Sequence, residues 1–194
     1  IDAGKFDWGA SGFPLYTEPD ESYHGLTWGK DLGDLSPIAY LLRMRTVPLR
    51  NLGACISPDN AFMFLQGIET LPLRMERHCS NALSVAEFLS GHSAVEWVGY
   101  PGIDSHKSHA TAKRMFENGY GGVVVFGLKG GRDAGTKFIN ALELHSHVAN
   151  VGDAKSLAIH PASTTHSQMT DEQQIESGID PGLVRLSVGI EHTD

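Results

Sequence analysis

Apolar positions along this chain change their spacing twice. Residues 1–35 show no lasting period: Gly, Pro, aromatic and acidic residues follow one another, as in GKFDWGASGFP and SYHGLTWGKDLGD. Such a stretch cannot form a domain alone and must lie on a neighbouring surface through Phe6, Trp8, Tyr23 and Trp28. From Ser36 the pattern turns helical. Ser36-Pro37 offers an N-cap with proline at the first helical position, and IAYLLRMRT continues until Pro48, whose missing N–H predicts a break or kink. Ser57-Pro58-Asp59 repeats the start signal, and Phe62, Leu65 and Ile68 follow at helical spacing. Pro72 predicts an interruption before a further helix over 73–90, closed by Gly91. Residues 58–91 thus read as a long helical spine.

After Gly91, strand and helix patterns alternate. The segments 95–100, 122–128 (GVVVFGL), pieces near 147–149 and 157–159, and 183–190 read as strands. The segments 108–117 and 133–144 read as helices, and Thr170-Asp-Glu-Gln173 resembles a capping box opening a short one. The fold class is α/β, with an α+β C-terminal part over 92–194 in which helices pack on a mostly antiparallel sheet.

Composition narrows the function classes. With 194 residues, 41% apolar and 20% charged, the chain can bury a core. A net charge of −8 argues against nucleic acid or an anionic membrane as partner. No apolar run approaches the roughly 20 residues that span a bilayer, and no signal peptide is visible. Cys55 and Cys79 are expected as reduced thiols of a cytoplasmic protein. The chain starts at Ile1 without methionine and stops straight after a strand pattern, which suggests a piece of a longer polypeptide.

The densest chemistry lies in NVGDAKSLAIHPASTTHSQ (150–168) and LVRLSVGIE (183–191). In the second, Val184, Leu186 and Val188 share one strand face and Leu183, Arg185 and Ser187 the other. Arg185 is either an arginine on a wet face or a planar clamp for a carboxylate. Asn150, Ser163, Thr164 and Thr165 read either as turn residues bonding the backbone or as the polar wall of a pocket that also holds His160 and His166. The HKSH and HSH tracts lack a zinc frame, so no metal is expected. The glycines of GGVVVFGLKGGRDAG match neither phosphate-loop pattern and read as plain turns. No G-x-S-x-G elbow is present, and Cys79 reads as a packed helix residue.

These segments, with GKFDW, SYHGL, LGACISPDNAF, ETLPLRMERHCSNAL, VEWVGYPG and FGLKGGRDAG, resemble the C-terminal half of the cysteine/methionine-metabolism family of pyridoxal-phosphate (PLP) enzymes. The resemblance covers nearly the whole chain, and Asn150 with the GKFDW opening favours the γ-replacement branch over the lyases. It implies a fold type I PLP-dependent transferase. On that reading, residues 1–57 are a remnant of the large cofactor domain, 58–91 connecting helices, and 92–194 the small substrate-binding domain without its terminal helix. The implied activity makes L-homocysteine or methionine from O-acetyl-L-homoserine and sulfide or methanethiol. The alternatives are a cystathionine or methionine γ-lyase, or a non-catalytic binding or structural fragment. Arg185 would bind the substrate α-carboxylate, with Asn150 and Thr165 beside it. The Schiff-base lysine belongs upstream, so no catalytic residue is expected in this chain, which should be inactive alone. The implied cofactor is pyridoxal 5'-phosphate, bound mainly by the upstream part. The implied partners are that part and further copies of the chain, as a homotetramer.

Overall fold

The computed structural model describes residues 5–10 and 12–193, so Gly4 of the GKFDW motif and both chain ends lie outside it. The chain divides into two compact units, Ile1–Phe62 and Met63–Asp194.

The first unit contains α1 (Pro14–Thr17), α2 (Ala39–Met44) and α3 (Arg50–Leu52), with 3₁₀ turns at Glu21–Tyr23 and Gly33–Ile38. Its aromatic residues pack on one another. Trp8 stacks on Tyr16 at 4.0 Å, with Phe6 and Phe13 edge-on to Trp8. Trp28 is buried and its indole N–H donates to Asp20 Oδ2 at 2.8 Å. The Tyr23 hydroxyl donates to the Thr46 carbonyl at 2.7 Å. One helix signal resolves differently from expectation and one as read. Ser36 does not cap α2: its hydroxyl donates to Gly33 O at 2.7 Å, and Pro37 sits within the 3₁₀ turn that precedes α2. Pro48 does interrupt the α-helix. Arg45–Leu49 widens into a π turn that accommodates the proline, and the chain continues helically to Leu52.

Helix α4 (Pro58–Glu69) starts where Ser57 Oγ accepts from the Asn60 amide at 3.2 Å. None of its residues is buried, and Phe62, Met63, Phe64, Leu65 and Ile68 are all exposed. α5 (Leu71–Ser90) begins before Pro72, not after it. Proline fits the first helical turn, where the N–H needs no partner, so Pro72 opens the helix instead of interrupting it.

The second unit carries one five-stranded sheet in the order β1-β2-β5-β4-β3. Its strands are β1 (Val95–Gly99), β2 (Val123–Leu128), β3 (Ser146–His147), β4 (Leu157–Ile159) and β5 (Leu183–Ser187). All pairings are antiparallel except β3 with β4, which is parallel. α6 (His109–Met115) and α7 (Gly131–Asn140) sit between strands in sequence, and α8 (Asp171–Glu176) precedes β5. Ala82, Ala86 and Leu89 of α5 and Ile139 of α7 meet Val124, Phe126, Ala158, Val184, Leu186 and Val188 in the core. The alternation read from the sequence therefore holds: even-numbered β5 positions face the helices. β5 is central, which puts Arg185 in register with Val125 on one side and Ile159 on the other.

Candidate ligand-binding site

Arg185 stands on the sheet face opposite the helices, but that face is not open to water. Its neighbours Leu183 and Ser187 are buried, as are Leu157 and Ile159 on β4. The covering comes from the loop after β3. Gly152 N donates to Ser187 Oγ at 3.2 Å, and Arg185 Nη2 donates to the Asn150 carbonyl at 3.3 Å. The rest of this loop is tied to the chain after β5. The Ile190 amide donates to Ala154 O at 2.9 Å, Gly189 N donates to Ser156 Oγ at 2.8 Å, and Ser156 Oγ donates to Glu191 Oε2 at 2.9 Å. Burial alone would push the Glu191 carboxyl up. Hydrogen bonds from the Ser156 amide and hydroxyl, with His145 nearby, outweigh it and hold the group below its ordinary range.

The guanidinium is therefore half-buried on a core strand. Its Nε is sealed from solvent without a hydrogen-bond partner, and among the described residues no carboxylate pairs with it. Arg132, by contrast, is paired with Asp171. A cation left uncompensated in a mostly apolar wall suits an anionic ligand arriving from outside these residues.

The three residues singled out from the sequence are placed unequally. Arg185 and Asn150 meet, though through the Asn150 backbone; the side-chain Oδ1 accepts from the Val151 amide at 2.9 Å. Thr165 is exposed, and its hydroxyl lies 2.8 Å from His166 Nδ1 with no hydrogen bond to Arg185 or Asn150. Its loop nevertheless starts one residue after Ile159, the partner of Arg185 in β4. His160 is fully buried. Its Nε2 must carry a proton, because Pro181 O at 2.8 Å can only accept, and its Nδ1 faces Ser163 Oγ at 2.8 Å.

Sequence reasoning missed Ser187, Gly152, Arg132 and Gln174. Ser187 was findable, since it shares a strand face with Arg185. The Arg132–Asp171 pairing, 39 positions apart, left no local signal. The histidine tracts do not converge: among the described residues no group of three His, Cys, Asp or Glu side chains is placed to hold a metal. A separate cleft of about 390 Å³ is lined by Asn81, Phe88, His145, Ser156 and Glu191.

The chain belongs to the family described as Cys/Met metabolism PLP-dependent enzyme, whose model matches residues 25–194. Among the relatives is an O-acetyl-L-homoserine sulfhydrylase from Leptospira meyeri, 56% identical over all of this chain and 45% of its own length. A homocysteine synthase from Schizosaccharomyces pombe is 50% identical, again over all of this chain and 45% of its own. A solved structure described as an O-acetylhomoserine (thiol)-lyase from Campylobacter jejuni, with N'-pyridoxyl-lysine-5'-monophosphate, superimposes with a TM-score of 0.76 and 39% identity. It covers 93% of this chain and 42% of that one. This chain spans about 45% of the length of the curated relatives it matches.

The residues around Arg185 do not fit the cofactor by themselves. They supply a guanidinium, a carbonyl, a hydroxyl and an amide, with neither an amine for a Schiff base nor a carboxylate for a pyridine nitrogen. Asp153 in the same loop turns its carboxylate back onto the Lys155 amide at 3.1 Å. What the cluster offers an anion is the Arg185 guanidinium, whose Nε has no partner.

Proposed function

We propose that this chain is the C-terminal, substrate-binding portion of an enzyme that exchanges the acetate of O-acetyl-L-homoserine for sulfide or methanethiol, giving L-homocysteine or methionine. The observation that carries this reading is the Arg185 guanidinium on the central strand, with a sealed, unsatisfied Nε and no carboxylate partner among the described residues. The names and identities of the relatives support the reaction. In the proposed scheme residues 1–57 complete a large cofactor domain, 58–91 connect, and 92–194 close over the substrate. The intact protein works as a cytoplasmic homotetramer.

Arg185 accepts the substrate α-carboxylate on its planar fork and so fixes the amino acid at one end. Asn150 and Thr165 complete that subsite, each from a loop flanking the Arg185 strand. Pyridoxal phosphate, held by residues outside this cluster, supplies the electron sink. The work of this chain is positioning: a carboxylate gripped at a fixed point sets the rotation of the α-carbon bonds relative to whatever reacts with them.

The test is Arg185→Ala in the intact enzyme. Removing one member of a buried charge pair should raise KM for O-acetylhomoserine about 100-fold, close to 2.7 kcal/mol. The cofactor absorbance should stay unchanged. An unaltered KM would refute the assignment.

A further inference from the structure

The loop carrying Thr164 and Thr165 has no regular structure beyond one 3₁₀ turn at Pro161–Ser163, yet it is not loosely held. Gln174 on α8 is 1% exposed, and its amide nitrogen bonds only this loop. Its Nε2 donates to His166 O at 2.6 Å and to Ala162 O at 3.2 Å, with Met169 O a further 3.4 Å contact. Its Oε1 accepts from Arg132 Nη2 at 3.1 Å. Arg132, at the start of α7, donates from Nη1 to the same Ala162 carbonyl at 2.8 Å and pairs with Asp171 through Nη2. α8 is in turn fixed by a capping box, with Thr170 and Gln173 bonded reciprocally.

A glutamine is an expensive way to fill a core position, because every amide hydrogen and lone pair must find a partner. Here each partner lies on the segment 162–169 or on Arg132. The segment begins two residues after His160 and three after Ile159, the β4 neighbour of Arg185. The bond pattern therefore holds the backbone of the hydroxyl-bearing loop that leaves β4, the strand next to Arg185.

We propose that Gln174, with Arg132, is a positioning residue for the carboxylate subsite: it sets the 162–169 backbone against Arg185 without touching the ligand. This rests on the reading of Arg185 as the carboxylate anchor. Gln174→Glu keeps the shape but cannot donate to the loop carbonyls, and Gln174→Met keeps the bulk without polarity.

The experiment uses the intact enzyme and two probes, a small unreactive α-amino acid and its α-carboxamide, as competitive inhibitors. The wild type should prefer the free carboxylate. Both Gln174 variants should lose about tenfold of that preference, with KM for O-acetylhomoserine rising by a similar factor and kcat moving less. Arg132→Lys keeps the charge on Asp171 but loses the fork, and should give a smaller loss in the same direction. That variant serves if the Gln174 variants do not fold. A lower melting temperature with the carboxylate preference intact would mean a purely structural tie and would overturn the inference. Arg185→Ala separates the two levels. If it abolishes the preference while the Gln174 and Arg132 variants keep it, only the positioning role falls. If Arg185→Ala leaves the preference unchanged, the subsite reading falls and takes this inference with it.

Discussion

Replacing Gly135 with alanine should destabilise the protein, although alanine is the better helix former. Gly135 lies within α7 and is buried. A Cβ there would sit 2.4 Å from His160 Nε2 and 2.5 Å from its Cδ2. His160 cannot retreat, because it is fully buried and both ring nitrogens are engaged, Nε2 with Pro181 O and Nδ1 with Ser163 Oγ. Three effects compete. Helix propensity favours alanine by about 1 kcal/mol. Overpacking costs about 1–3 kcal/mol. Displacing the imidazole leaves a buried N–H or the Pro181 carbonyl without a partner, for about 1–3 kcal/mol more. The net is a loss of about 3 kcal/mol, with helix propensity the smallest contributor. Urea denaturation of the Gly135→Ala protein measures it. A second arm makes the cause specific: in a His160→Ala background the clash is gone, so Gly135→Ala should be neutral or stabilise by up to about 1 kcal/mol. A Gly135→Ala protein as stable as the parent would refute the packing of α7 on His160, and with it the rigid base of the hydroxyl-rich loop.

Two further outcomes can be checked. Burial holds His145 below its ordinary value of 6.5, an effect that Glu191 nearby only partly offsets. The folded state therefore binds a proton there less readily than the unfolded chain, so stability should fall as pH drops below that value. Glu191, also shifted down, adds to the loss as pH falls through and below 4.5. His145→Gln should flatten the upper part of a plot of melting temperature against pH, and an unchanged slope there would count against the His145 contribution. Thr170→Ala removes the hydroxyl that accepts from Gln173 N and should cost about 1 kcal/mol, read by urea denaturation. If α8 frays as a result, the carboxylate preference should weaken slightly too.

Legibility from sequence followed the range of the interactions. The alternation in LVRLSVG was enough to place Val184, Leu186 and Val188 in the core and Arg185 opposite, because strand periodicity is a local property. The Thr170–Gln173 capping box was equally local and formed as read. Pro48 interrupted the α-helix as read, with a π turn, but Pro72 misled, because it opened α5. The parallel β3–β4 contact was hidden, since pairing direction depends on where a loop returns. In the candidate site the arginine was visible as a chemical oddity. The Gln174–Arg132 brace was not, because a buried glutamine on an acidic six-residue helix looks like any solvated polar residue until its partners, up to 42 positions away, are in place.

Helix α4 has a practical consequence. Phe62, Met63, Phe64 and Leu65 are consecutive, so at about 100° per residue they point to nearly every side of the helix axis. No flat surface can shield all four at once; only a channel could. Preparations holding just these 194 residues will therefore stick to one another and to column resins, and a detergent or a solubilising fusion will be needed to keep them dispersed.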